Sequence, residues 1–142
     1  MVATVAARYG NAQFDMFTTA EVEATASMYE LAAPEAMLIA GNHPTPWRYR
    51  EYEQHRHRTI QDVCGPVLDA AGCAPIVHAA GRHYPSGAML MLNRAAKSSL
   101  VMQGVMTRQE VDGLEASLVR LPGVFLVFEN QDARIYRIEP YR

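Results

Sequence analysis

A chain of 142 residues, 49% of them apolar, is about the size of one domain and has enough apolar side chains for a core. Its formal charge of -2, from 13 basic and 15 acidic residues, excludes a general attraction to nucleic acid or to anionic lipid. No apolar run reaches the ~18 residues of a membrane span, and the opening "MVATVAARYG" is too short for a signal peptide; the chain reads as soluble, or as the soluble piece of something longer.

Residues 1–17 form a lead-in, with Arg8, Tyr9, Phe14 and Phe17 placed to pack aromatic side chains onto a body. Thr18 and Glu21 have the spacing of a capping box, which predicts a helix over "TAEVEATASMYELA". Val22, Ala26, Tyr29 and Ala33 recur on one face of it, and Pro34 marks its end. "MLIA", Met37 to Ala40, is a short apolar run closed by Gly41 and reads as a buried strand. Residues 41–50 follow as an irregular loop, since Pro44 and Pro46 bias His43 and Thr45 towards extended backbone. From Tyr49 the pattern predicts a helix whose stripe is Tyr52, His55, Arg56, Thr59, Ile60, Val63, Val67 and Leu68. Pro66 kinks or splits it, and Gly72 is its expected C-cap.

Residues 75–87 read as a second irregular loop. "AMLML", Ala88 to Leu92, is a second buried strand, and "NRAAKSSLVMQG" is either a short helix or an irregular crossover. Thr107 and Glu110 repeat the capping-box spacing ahead of a helix with Val111, Leu114, Leu118 and Leu121 on one face. Pro122 and Gly123 stop it. "VFLVF", Val124 to Phe128, and "RIYRI" flank a polar turn, which predicts a closing hairpin whose last strand is an antiparallel edge. The order of elements predicts a single α/β domain over 1–142: a layered sandwich on a mostly parallel sheet of about four or five strands, ending in an antiparallel hairpin.

Sheets of this kind bind ligands at the carboxyl ends of their strands. Gly41 to Arg50, Asn93 to Lys97 and Glu129 to Asp132 are expected there. Trp47 can stack on a sugar or plug the space between loop and helix. Arg48 and Arg50 can bind phosphate or carboxylate, or pair with Glu51 and Glu53 on a solvated helix start. Tyr49 and Tyr52 share a helix face and can cover the core edge. Asn42 and Asn93 can bond hydroxyls. The candidate ligand-contacting set is Asn42, His43, Trp47, Arg48, Tyr52 and Arg94.

His43, His55, His57, His78 and His83 show no zinc spacing, so no metal is expected. His55 and Glu51 could form an orienting pair, but no nucleophile motif or carboxylate pair accompanies them. No nucleotide-binding glycine motif occurs, so no cofactor is expected. Cys64 and Cys73 are either two small buried thiols or, in an oxidising compartment, one disulfide.

Several segments together carry a family resemblance: "RYGNAQFDMFT", "MLIAGNHPTPWRYREYEQHRHRTI" and "GLEASLVRLPGVFLVFENQDARIYRI". Over most of residues 8–139 the chain resembles the soluble C-terminal region of actinobacterial multipass membrane glycosyltransferase-like proteins. In that family the strand matching Ala88 to Leu92 runs into a Thr-Arg-Ser-Gln-like segment. Here the place reads "LNRAAK", with Arg94 kept and its polar neighbours changed. The resemblance implies a small α/β domain on the extracytoplasmic face, following membrane helices of the same polypeptide. It places the transferase carboxylates outside this chain and makes the domain a non-catalytic accessory. A glycan or a lipid-linked sugar would be its ligand, with nucleic acid excluded. A stand-alone small α/β enzyme and a purely structural interaction domain are the alternatives.

Overall fold

The computed structural model describes residues 16–41, 52–65 and 70–142. Most of the lead-in and residues 42–50 of the expected first loop lie outside those residues.

Helix α1, Thr19–Leu31, starts at the Thr18–Glu21 capping box and gives way to extended backbone at Ala32. Its inner face differs from the expected one. Ala20, Glu21, Ala24, Thr25, Met28 and Tyr29 are buried, whereas Val22 is 43% exposed. Alanines at 20 and 24 let the helix lie close to the sheet, and Glu21 turns inward because buried donors await it there. Phe17, expected to pack, is also exposed.

Strand β1, Met37–Ala40, is wholly buried. Of the helix expected from Tyr49 to Leu68, the described residues form instead a short 3-10 turn at Tyr52–Gln54, strand β2 at Arg56–Thr59 and helix α2 at Ile60–Cys64, while Pro66, Val67 and Leu68 lie outside the described residues. Thr59 and Asp62 form a capping box that starts α2 inside the expected stripe. Ahead of that box, pairing with β1 fixes Arg56–Thr59 as a strand. Helix α3, Ala70–His83, replaces most of the expected second loop. Gly72 lies in its first turn rather than at a C-terminus. Pro75 costs it one backbone hydrogen bond near its start, where the loss is tolerated. Strand β3, Ala88–Asn93, is buried at every position. Helix α4, Arg94–Met102, resolves the open reading of that segment as a helix, and helix α5 covers Arg108–Leu118. Strands β4, Val124–Glu129, and β5, Ala133–Ile138, form the hairpin.

The sheet order is β2-β1-β3-β5-β4. The first three strands are parallel, and β5 runs antiparallel to both β3 and β4. The edge is therefore β4, not β5. Interior placement explains why "RIYRI" does not alternate cleanly: both of its faces meet core. Ala133 and Ile135 pack with α1 residues Ala24, Met28 and Tyr29. Tyr136 and Ile138 pack on the other face with Ile60, Val77, Leu100 and Leu114 of α2, α3, α4 and α5. The result is a three-layer α/β sandwich in which, among the described helices, α1 packs on one side and α2 to α5 on the other. None of its described helices is long and apolar enough to cross a membrane.

Candidate functional site

The carboxyl end of β3 is built around two inward-facing carboxylates. Glu21 is the first, and it is fully buried. Its Oε2 accepts from the Thr18 N–H at 2.9 Å, closing the α1 capping box, and from Arg94 Nη2 at 3.1 Å. Its Oε1 accepts from Asn93 Nδ2 at 3.1 Å and from the Ala95 N–H at 2.7 Å. One side chain thus joins the N-terminus of α1 to that of α4. The β4–β5 turn is tied to the same place. Thr18 Oγ1 donates to Asp132 Oδ2 at 2.6 Å, Asn130 Nδ2 donates to the Ala20 carbonyl at 2.8 Å, and the Arg94 N–H donates to the Asp132 carbonyl at 2.8 Å.

Glu115 is the second. It sits on the apolar stripe of α5, one position after Leu114. Oε2 accepts from Lys97 Nζ at 2.6 Å; Oε1 accepts from Tyr136 Oη at 2.6 Å and from Arg134 Nη1 at 3.2 Å. Burial alone would raise its pKa, but the bonds from Lys97, Tyr136 and Arg134 and the Lys97 charge outweigh burial and hold it below the usual carboxylate range. Burial first, and Glu115 second, push the Tyr136 phenol well above its ordinary value. Bonds to Glu129, at 2.7 Å, and to Glu115 raise the Arg134 guanidinium.

Between α4, α5 and the β4–β5 turn lies a pocket of about 290 Å³. Leu92, Val101 and Val111 give it an apolar floor; Arg94, Lys97, Arg108 and Arg134 supply donors, and Asp112 and Asp132 supply carboxylates. That volume sits at the low end of small-molecule sites, which span roughly 300–1,000 Å³, so the pocket admits one small polar unit.

Of the expected ligand-contacting residues, Arg94 lines this pocket. Asn42, His43, Trp47 and Arg48 lie outside the described residues. Tyr52 begins the turn that leads into β2, at the opposite end of the parallel strands from Arg94. Those two residues therefore do not share a site. Asn93, expected to bond hydroxyls, is buried and used internally: its Oδ1 caps the Ala96 N–H and its Nδ2 holds Glu21. The expected convergence of Asn93–Lys97 with Glu129–Asp132 does occur, since both segments contribute to the pocket wall. Sequence reasoning passed over Arg108, Asp112 and Arg134. It also missed Glu21 and Glu115 as inward carboxylates, although Glu115 was legible as an acid on an apolar stripe.

Elsewhere, Cys64 of α2 and Cys73 of α3 are joined as a disulfide. At the other end of the sheet Tyr29 Oη lies 2.7 Å from His57 Nε2, and His55 Nδ1 meets the Ala36 carbonyl at 3.3 Å. Burial and then the charge of His55 lower the His57 pKa. Among the described residues no three His, Cys, Asp or Glu side chains are grouped to hold a metal ion.

No protein-family model matches the chain, and no curated protein or solved structure is significantly similar to it.

Proposed function

We propose that this chain is a non-catalytic accessory domain of a multipass membrane glycosyltransferase-like protein, placed on the extracytoplasmic face, where it contacts a glycan or the sugar of a lipid-linked donor. The membrane-embedded region of the same polypeptide is its partner. The observation that carries the reading is the pocket beside Arg94. It sets donors and carboxylates side by side over an apolar floor, the combination that hydroxyl groups and a sugar's C–H face require. Behind its wall Glu115 accepts three hydrogen bonds and is held ionised. A general acid or base needs the opposite tuning. The Cys64–Cys73 disulfide accords with an oxidising compartment.

Titrating the ¹⁵N-labelled chain with monosaccharides tests this. The expected result is weak, millimolar binding, with amide shifts centred on residues 94–98, 108–112 and 130–134 and loss of those shifts in Asp112→Ala. Absence of shifts at millimolar sugar would overturn the ligand reading. Turnover of an activated glycoside or lipid-linked sugar by the purified chain would overturn the non-catalytic one.

A further inference from the structure

The helix N-terminus that follows a parallel strand is the usual anion site of an α/β sheet, because its free N–H groups and the helix dipole converge there. Helix α4 follows β3 in that way. Here the place is already taken by the chain's own carboxylate. Glu21 Oε1 accepts the Ala95 N–H, and the Asn93 side chain caps the Ala96 N–H. Arg94 and Asn93, the side chains that would greet a phosphate at that helix start, both donate to Glu21 instead.

Two further cations of the pocket, Lys97 and Arg134, are also engaged. Lys97 and Arg134 share Glu115, and Arg134 bonds Glu129 as well. Four cations line the pocket: Arg94, Lys97, Arg108 and Arg134. Against them stand five carboxylates, the lining Asp112 and Asp132 and the bonded Glu21, Glu115 and Glu129. An anionic ligand would have to displace one of these carboxylates or sit beside the others. A polyol faces neither cost: its oxygens accept from Lys97, Arg108 and Arg134, and its hydroxyls donate to Asp112 and Asp132.

Resting on the glycan reading above, we infer that the pocket is selective for an uncharged polyhydroxyl unit and against phosphate, with Glu21 acting as a built-in anion at the start of α4. For a lipid-linked donor this assigns the pocket to the sugar and leaves the phosphate outside it.

The test compares D-glucose, D-mannose and D-galactose with inorganic phosphate and glucose 6-phosphate on the intact ¹⁵N-labelled chain. At least one neutral sugar is expected to bind about tenfold or more tighter than either phosphate compound, with shifts at residues 94–98 and 130–134. Glu21→Ala, which empties the place that Oε1 takes on the Ala95 N–H, is expected to gain phosphate binding at the Ala95 amide. Phosphate binding the wild-type pocket as well as the sugars do would overturn the selectivity while leaving a ligand pocket in place. Silence of the wild type towards every compound would overturn the pocket reading itself and this inference with it. A folded Glu21 variant that takes no phosphate would overturn the role given to Glu21. Because the wild-type comparison needs no variant, a Glu21 variant that fails to fold leaves the selectivity decided.

Discussion

The Glu21 carboxylate lies 2.7 Å from the backbone nitrogen of Ala95, 74 residues further along the chain. The bond couples α1, which packs on one face of the sheet, to the helix that forms one wall of the pocket on the other. Glu21→Ala would leave the Asn93 amide and the Ala95 N–H without the acceptor they use in a buried place and remove one partner of Arg94. Leaving a buried donor unsatisfied costs about 1–3 kcal/mol. Urea denaturation of the variant should show a loss of that order. A loss below ~1 kcal/mol would mean that water replaces the carboxylate and that the coupling is weak.

Glu115 should govern part of the acid unfolding. Its folded pKa lies below the ordinary 4.5, so the unfolded chain takes the proton first as pH falls. Its stabilisation is therefore present above about pH 4.5 and is lost as pH drops through the lower folded value. Glu115→Gln should reduce stability by about 1–3 kcal/mol at neutral pH, the usual size for hydrogen bonds to a charged group. The gap to wild type should narrow steadily in acid. A gap independent of pH would show that shape, not charge, holds the cluster.

His57 titrates in a different window. Its pKa is lowered from 6.5, by burial first and by the charge of His55 second. The unfolded chain again binds the proton first, so this contribution is present above about pH 6.5 and fades below it. Proton NMR of the ring should give His57 a midpoint below 6.5, and Tyr29→Phe should move that midpoint by removing the hydroxyl 2.7 Å from Nε2. A His57 midpoint at or above 6.5 would contradict the desolvation of this half-buried ring.

The Cys64–Cys73 bridge closes a short loop, with a sequence separation of 9. Chain entropy alone assigns a loop of that size about 2.5–3 kcal/mol. The Cys64→Ser, Cys73→Ser double variant should lose about that much, and the intact mass of the oxidised chain should lack two hydrogens relative to the reduced one. Equal stability with and without reductant would remove the bridge from the account.

The parts of the fold that were legible in the sequence are those set by local rules. The capping boxes at Thr18 and Thr107 start α1 and α5, and the apolar runs at Met37 and Ala88 are β1 and β3. The misreadings fall where a partner decides. Arg56–Thr59 is a strand only because β1 supplies its hydrogen bonds, and its exposed basic residues carry no strand periodicity. Ala70–His83 is a helix despite Gly72 and Pro75, with Cys73, Ala74 and Val77 buried in the core beneath it. In the site, Arg94 was legible from its place after a strand. The role of Asn93 was inverted because its acceptor, Glu21, comes from the far end of the chain.

Gly41, the residue that follows β1, packs tightly against Ala96 in the first turn of α4. A Cβ added at Gly41 would overlap the Ala96 Cβ and stand 3.2 Å from its Cα. The far atom is helix backbone rather than the end of a flexible side chain, so relief requires α4 to move. Overpacking of this kind costs about 1–3 kcal/mol. Gly41→Ala should therefore destabilise the domain by that amount, and the displaced α4 should carry Arg94 and Lys97 with it. Sugar affinity should fall further in this variant than in an exposed helix variant such as Gln109→Ala, which makes no contact with β1. Ala96→Gly in the Gly41→Ala background removes the opposing methyl and should restore both stability and affinity in part. Failure of that second change to restore either would show that the approach of β1 to α4 does not position the pocket.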